Sequence, residues 1–187
     1  MKRTSFFSAL AAVALVAALV SCKKDKNSDP EPTPLAISAS VTGDANDLAL
    51  VESVKAVVPT SNALTVIATG TYASNKISIT LPFPFPNANL LEDADAAGAK
   101  IANVNFIGYD ENDDAIGMFE LVGSNATTDV EGVYTYVDRS FSATSPAGSL
   151  TFKKGWNLYY FIENNGTDTV SNTVPAGITM TWIYNAN

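Results

Sequence analysis

The 187-residue chain carries 11 basic and 19 acidic side chains, one cysteine and no histidine. Without histidine or a second cysteine, Ser-His-Asp and Cys-His catalysis are excluded, as are zinc sites built from histidine or cysteine ligands. The acidic balance argues against nucleic acid or an anionic membrane surface as a partner, because both require a basic patch. We expect no cofactor.

Residues 1–21 have the plan of a secretory signal peptide. Lys2 and Arg3 precede an apolar run from Phe6 to Val20, and the small Ser21 follows. This run is short for a membrane-spanning helix, which needs about 20 apolar residues, and charged residues come directly after it. We therefore expect this leader to be cleaved.

The residues Leu19, Val20, Ser21 and Cys22 resemble the lipobox of bacterial lipoproteins. The resemblance implies that Cys22 becomes the first mature residue, carries a diacylglycerol thioether and an N-acyl chain, and anchors the protein in a membrane. Two or three acyl chains make that anchoring permanent, since each buried CH₂ contributes about 0.8 kcal/mol. The alternative is a secreted protein whose leader happens to end near a cysteine.

Residues 22–34 form a predicted tether between the lipid and the domain. Three prolines and six charged side chains keep such a segment extended and solvated. Its start, Lys23-Lys24-Asp25, is similar to the charged starts of lipoproteins of the Bacteroidetes. That similarity implies the outer membrane, with the cell surface favoured over the periplasmic face.

Residues 35–187 are expected to form a single domain. The leader holds two basic and no acidic residues, so the remaining chain has nine basic against nineteen acidic side chains, a formal charge of −10. Once Cys22 is acylated, no disulfide is possible, and stability must come from packing alone.

Apolar and polar residues alternate along this domain, which is the period of a half-buried β-strand. Gly, Pro and Asn clusters separate the alternating segments, and Tyr72–Lys76 reads as a hairpin turn. The pattern predicts an all-β fold, an antiparallel β-sandwich of the prealbumin or immunoglobulin-like kind, with at most one helical turn between Ala88 and Ala97. The predicted strands are residues 37–42, 53–58, 64–69, 76–81, 101–109, 115–122, 132–138, 140–144, 149–153, 156–163, 167–174 and 178–184.

The segment Lys154-Gly155-Trp156-Asn157 resembles a strand that recurs in a family of uncharacterised secreted and lipid-anchored bacterial β-proteins. In that family a Gly-Thr-Tyr hairpin ending in Leu-Pro also occurs, here Gly70-Thr71-Tyr72 through Leu81-Pro82. The N-terminal strands are similar to prealbumin-like modules, which serve as stalks or docking units. These resemblances imply a β-sandwich but no particular activity.

The cluster from Asp110 to Asp114 is a candidate calcium site. Asp110, Asn112 and Asp114 have the spacing of oxygen ligands in an EF-hand loop. The remaining template is absent, because Ala115 replaces the glycine and Leu121 stands where the bidentate glutamate belongs. An acidic hairpin turn is the simpler interpretation.

A second set of carboxylates lies in the long proline-rich connection of residues 82–100. Glu92, Asp93 and Asp95 are candidates for the acid and base of glycoside hydrolysis, which requires two carboxylates across a cleft. In the same connection, Phe83 and Phe85 are expected to cap an open end of the sandwich.

Aromatic residues concentrate on the late strands and suggest a binding surface around Trp156, Tyr159 and Tyr160. The two tyrosines are adjacent, so they must point to opposite faces of their strand. Exposed rings stack on sugars or on other proteins, whereas buried ones belong to the core. Asp168-Thr169-Val170 matches a short O-glycosylation pattern of exported Bacteroidetes proteins, which makes Thr169 a candidate glycan site in a loop.

Together these features favour a lipid-anchored protein of the cell envelope. It would act as a non-enzymatic binding or structural module for a glycan or an envelope protein. Two alternatives stay open: a small carboxylate-dependent polysaccharide hydrolase and a calcium-dependent adhesion module.

Overall fold

The computed structural model describes residues 31–61, 63–94 and 98–187. The predicted signal peptide, Cys22, most of the tether and Asp95 lie outside these described residues. Among the described residues, no helix has the length and apolar character needed to cross a membrane.

Thirteen β-strands and two short helical segments make up the described part of the chain. The helical segments are α1 (Ala45–Leu48) and a 3₁₀ turn (Ala88–Leu90). The strands are β1 (Leu35–Thr42), β2 (Ser53–Pro59), β3 (Leu64–Ala73), β4 (Lys76–Leu81), β5 (Glu92–Asp93), β6 (Lys100–Tyr109), β7 (Ala115–Ser124), β8 (Thr128–Val137), β9 (Phe141–Ser145), β10 (Gly148–Phe152), β11 (Gly155–Asn164), β12 (Thr167–Ser171) and β13 (Thr181–Ala186).

The predicted all-β, sandwich-like fold is confirmed. Eleven strands form one large sheet, and β9 and β10 form a separate hairpin. The large sheet returns on itself because β6 pairs with β7, which closes a ring in the order β1-β4-β3-β2-β6-β7-β13. Pairing is antiparallel except between β13 and β1, where two residue pairs complete the ring in parallel.

Strand β6 is the branch point of the sheet. Its C-terminal half pairs with β7 over four residue pairs, from Phe106 opposite Phe119 to Tyr109 opposite Ala115. Toward the N-terminus of β6 from Phe106, the two strands separate. Strand β8 fills the resulting fork by pairing with Ile101–Val104 of β6 and with Leu121–Ser124 of β7. Strands β11 and β12 then extend the sheet outward from β8.

Two hydrophobic cores result from this branching. The larger one lies within the ring and includes Val54, Ile77, Leu81 and Phe119, which are all fully buried. The smaller one lies where the β9–β10 hairpin covers one face of β8 and β11, and its buried members are Ala99, Val137, Phe141, Ala143, Phe152 and Tyr159.

The turns follow the expected chemistry. Ser74 and Asn75 take positive φ angles in the β3–β4 turn, and Asn165 and Gly166 do so between β11 and β12. Such two-residue loops match the twist of the strands they connect. Phe85, one of the two predicted cap residues, packs against Tyr136 and Trp156 with ring centroids 4.8 and 5.9 Å apart.

Three local features differ from what the sequence predicted. Helix α1 was not predicted, because four residues are too few to show a helical period; Asp44 caps it by accepting a hydrogen bond from the Asn46 amide. Strand β8 begins at Thr128 rather than Gly132. Residues 172–180 form a loop instead of strand ends, since Pro175 cannot donate to a ladder and Gly177 adopts a φ of 80°.

The aromatic ring of Tyr184, on β13, packs inside the closed ring of strands against a pair of glycines. Gly108 and Gly117 stand opposite each other on β6 and β7. A Cβ atom on Gly117 would lie 2.5 Å from the Tyr184 hydroxyl, so only glycine leaves room for this ring. The hydroxyl itself is buried and finds no hydrogen-bond partner among the described residues. Tyr184 therefore contributes packing at the cost of an unsatisfied polar group.

We expect Tyr184→Phe to raise the free energy of unfolding by about 1 kcal/mol, because it removes an unpaired buried hydroxyl while keeping the ring. Tyr72→Phe is the matched control. Its hydroxyl donates to Asn75 Oδ1 at 3.0 Å, so the same chemical change should cost roughly 0.5 to 1.5 kcal/mol. Urea unfolding followed by circular dichroism measures both, and equal signs for the two variants would contradict this account.

Candidate functional site

Two of the three predicted binding aromatics are used in packing. Trp156 donates from Nε1 to the Pro82 carbonyl at 2.8 Å and meets Tyr136 edge to face at 5.3 Å. Tyr159 is 6% exposed and packs edge to face on Phe152 within the smaller core. Burial raises the pKa of the Tyr159 hydroxyl to about 12. Tyr159 is therefore a core residue, and Trp156 is partly buried.

Tyr160 points to the opposite side of β11 from Tyr159, as the alternation requires. It is half-buried, and burial raises the pKa of its hydroxyl. The next residue, Phe161, returns to the side of Tyr159, with ring centroids 5.6 Å apart. Phe161 is 41% exposed because the β9–β10 hairpin does not reach it. The exposed ring on this strand is thus Phe161.

The candidate calcium ligands form a self-contained turn between β6 and β7. Asp110 Oδ1 accepts hydrogen bonds from the amides of Asn112 at 2.9 Å and Asp114 at 3.0 Å. The bond from Asp114, followed by that from Asn112, lowers the pKa of the Asp110 carboxyl. Within the described ranges, no group of three acidic side chains is arranged to hold a metal ion.

Asp113, the turn residue with a φ of 65°, forms an ion pair with Lys55 of β2. The Lys55 ammonium also lies 4.1 Å from the centre of the Tyr109 ring. These contacts fasten the turn to the outer side of the sheet. They give the acidic cluster a structural role.

The other predicted site residues are dispersed. Glu92 and Asp93 make up β5, where Asp93 accepts a hydrogen bond from Lys100 at 3.0 Å. Thr169, the candidate glycan site, was predicted in a loop, although residues 167–174 were also predicted as a strand. The loop prediction is wrong: the tight Asn165-Gly166 turn lets pairing resume at once, and Thr169 lies in β12. Its hydroxyl donates to the Ile162 carbonyl at 3.4 Å.

The structure assembles a different set of residues on the outer strands. Asp129 of β8 stands directly opposite Glu163 of β11, and Glu163 stands directly opposite Asp168 of β12. Directly opposed residues of antiparallel strands share one face of the sheet. Three exposed carboxylates therefore form a row across three strands.

A second row lies beside the first on the same face. Glu131 of β8 stands opposite Phe161 of β11, two residues along from Asp129 and Glu163. We call this surface the acidic face, and define it by Asp129, Glu131, Phe161, Glu163 and Asp168. In the described part of the chain, none of its four carboxylates forms an ion pair.

Glu131 stands at the inner border of the acidic face, beside the fork between β6 and β7. Desolvation, and then the charge of Glu120 on β7, raise the pKa of the Glu131 carboxyl. Both glutamates line a small cavity of about 50 Å³ at this fork. Glu120 in turn accepts a hydrogen bond from the Asn185 side chain. Negative charge thus continues from the acidic face toward β7.

Part of the acidic face could be predicted from the sequence. The Asn165-Gly166 turn fixes the hairpin register, which sets Glu163 opposite Asp168. The positions of Asp129 and Glu131 could not be predicted, because the β9–β10 hairpin separates β8 from β11 in the chain. The exposure of Phe161 also depends on where that hairpin ends.

Comparison with known proteins adds no relative. No protein-family model matches the chain, and neither a curated protein nor a solved structure resembles it significantly. Its function must therefore be inferred from the surfaces of the molecule.

We expect Glu131→Gln to stabilise the protein at neutral pH. A carboxyl whose pKa is raised in the folded state binds protons more tightly there, so the contribution of Glu131 to stability falls as pH rises from about 4.5 through its raised pKa. Removing the charge should recover roughly 0.2 to 1 kcal/mol at neutral pH, the range of like-charge contacts between strands, and almost nothing in acid.

Denaturant unfolding at several pH values measures this difference. Glu52→Gln, at an exposed position after α1, serves as the control for loss of one negative charge. If the two variants show the same pH dependence, the effect belongs to net charge and not to the environment of Glu131.

Proposed function

We propose that the protein is a lipid-anchored, non-enzymatic binding module of the bacterial outer membrane. In this proposal the acidic face binds a basic segment of a protein partner. The single observation that carries it is the row of three directly opposed carboxylates beside the exposed Phe161 ring.

Such a row is unfavourable for the isolated protein. Like charges directly opposite each other on neighbouring strands destabilise a sheet, by roughly 0.2 to 1 kcal/mol per pair. Asp129–Glu163 and Glu163–Asp168 are two such pairs. Lysine or arginine side chains of a partner would neutralise both, and complementary charge also speeds the encounter of the two proteins.

Phe161 supplies the apolar part of the same surface. A cation over an exposed aromatic ring gains about 0.5 to 1 kcal/mol, and arginine does so most often. Glu131 stands opposite this ring, so a bound cation would contact both a carboxylate and a π face. Basic side chains with long apolar stems suit this combination.

A glycan is the second candidate, since an exposed ring can also stack on a sugar and carboxylates accept hydrogen bonds from hydroxyl groups. The two candidates differ in their response to salt. Binding of a basic segment weakens as salt screens the carboxylates, whereas stacking of a neutral sugar does not.

Membrane attachment in this proposal depends on Cys22. The leader, the lipobox-like residues and the charged, proline-rich segment after Cys22 support it. A spacer of extended residues would hold the domain away from the membrane, where the acidic face is accessible to a large partner.

An oligolysine peptide tests the acidic face. We expect it to bind the wild-type chain at low ionic strength, and the double variant Glu163→Gln/Asp168→Asn to bind it about tenfold more weakly, which corresponds to about 1.4 kcal/mol. Phe161→Ala should weaken binding about two- to fivefold. Isothermal titration calorimetry at two salt concentrations measures these changes.

The matched control is Glu52→Gln/Glu92→Gln, which removes the same two charges from exposed positions elsewhere. If both double variants weaken binding equally, only net charge matters and the acidic face is not a binding site. Salt-independent binding of a neutral oligosaccharide that is lost in Phe161→Ala would favour the glycan.

Protease treatment of intact cells tests the location. We expect the wild-type protein to be digested without permeabilising the cells, and Cys22→Ala to appear in the soluble fraction because it lacks the acyl anchor. Immunoblotting of both fractions provides the readout. Protection of the wild type until the outer membrane is opened would place it on the periplasmic face.

A further inference from the structure

Strand β3 has an unpaired edge along most of its length. On one side β2 pairs with it from Leu64 to Thr71. On the other side β4 pairs only with Thr71, Tyr72 and Ala73. Among the described residues, no further backbone hydrogen bond reaches residues 65–70 from that side. The open edge is therefore about six residues, or roughly 20 Å, long, and alternate residues along it present free backbone groups.

Two local features turn this edge away from β4. Gly70 marks the crossing of the two strands, where a Cβ atom would lie 2.3 Å from the Ser78 carbonyl oxygen. Only glycine permits that approach, and the strands diverge beyond it. Between Ala56 and Val57 of β2 the pairing passes from Ala68 to Val66 of β3, so Ile67 is the extra residue of a bulge in β3, which increases the local twist of the β2–β3 hairpin.

The open edge is apolar and carries no charged or proline guard. Leu64 and Val66 are 50% and 45% exposed, which is unusual for large aliphatic side chains in a strand. Edge strands of soluble proteins are commonly guarded by charged residues or proline. Neither occurs between Leu64 and Gly70. Other edges are shorter or covered: β5 has two residues, and the β12 amide of Val170 donates to the Ala147 carbonyl.

We propose that this edge pairs with the same edge of a second copy of the chain, so that β3 and its symmetry mate form one continuous antiparallel ladder. Free backbone groups require a partner that also supplies backbone donors and acceptors. A two-fold arrangement satisfies both copies at once, because each strand meets an identical strand.

The charge distribution favours a second copy as the occupant. The chain has a formal charge of −8, so two copies repel each other over most of their surfaces. The stretch from Ala56 to Asn75 contains no charged residue and includes the whole open edge. Two acidic copies can approach there without opposed charges. This pairing does not involve the acidic face.

Sedimentation equilibrium of the full chain, in a detergent matched to the solvent density, tests the pairing. We expect the wild type to dimerise at micromolar concentrations. Val66→Lys and Leu64→Lys should each raise the dimer dissociation constant about tenfold or more, because a charged side chain on an edge strand opposes its pairing with another strand. Leu50→Lys, at a 62% exposed leucine away from the edge, should leave it unchanged.

Circular dichroism identifies any variant that fails to fold. If Val66→Lys fails to fold, Leu64→Lys decides the outcome, because Leu64 is the more exposed of the two edge positions. Three results would overturn the proposal. The first is a wild type that sediments as a monomer throughout. The second is a dimer that persists in both folded edge variants, as an association through the lipid anchor would. A different protein that copurifies with the wild type and is lost from the edge variants, while the chain alone is monomeric, would assign the edge to that partner.

Discussion

The divergence of β6 and β7 is the constraint on which the rest of the structure depends. After four paired residues the two strands separate at Phe106 and Phe119, and the fork must be filled because buried backbone groups need partners. Strand β8 fills it by pairing with both. The ring thereby acquires a three-stranded extension, β8-β11-β12, whose outer side needs its own cover. The β9–β10 hairpin covers only part of that side, and the uncovered remainder is the acidic face.

Local sequence rules account for most of the elements but not for this branching. Alternation predicted the strands, and residues Tyr72–Lys76 predicted the β3–β4 hairpin, in which Asn75 takes the left-handed conformation that Asn tolerates. The triple pairing of β6 has no local signal. It depends on contacts between segments far apart in the chain, as does closure of the ring through two parallel residue pairs between β1 and β13.

The same difference between local rules and long-range contacts decides which parts of the candidate site could be predicted. That Tyr159 and Tyr160 lie on opposite faces follows from the geometry of a strand, but which one is buried depends on where the β9–β10 hairpin packs. Phe152 of that hairpin covers Tyr159, so the exposed ring on this face is Phe161, two residues further along β11. Likewise the Asp110 cluster has ligand-like spacing, yet the backbone amides of its own turn occupy Asp110. Spacing alone does not distinguish a carboxylate that binds a metal from one that closes a turn.

Charge is distributed unevenly over this fold, and the unevenness separates two kinds of surface. On the acidic face, directly opposed carboxylates oppose sheet pairing, so the strands there are held by the aromatic packing beneath the hairpin rather than by their surface residues. Along β3 the situation is reversed: no charge opposes pairing, but on the side away from β2 no described strand pairs with residues 65–70. Neither surface is explained by the stability of a single copy, since one contains uncompensated charge and the other contains uncompensated hydrogen-bonding groups. In the two proposals, a cationic partner would compensate the first and a second strand edge would compensate the second.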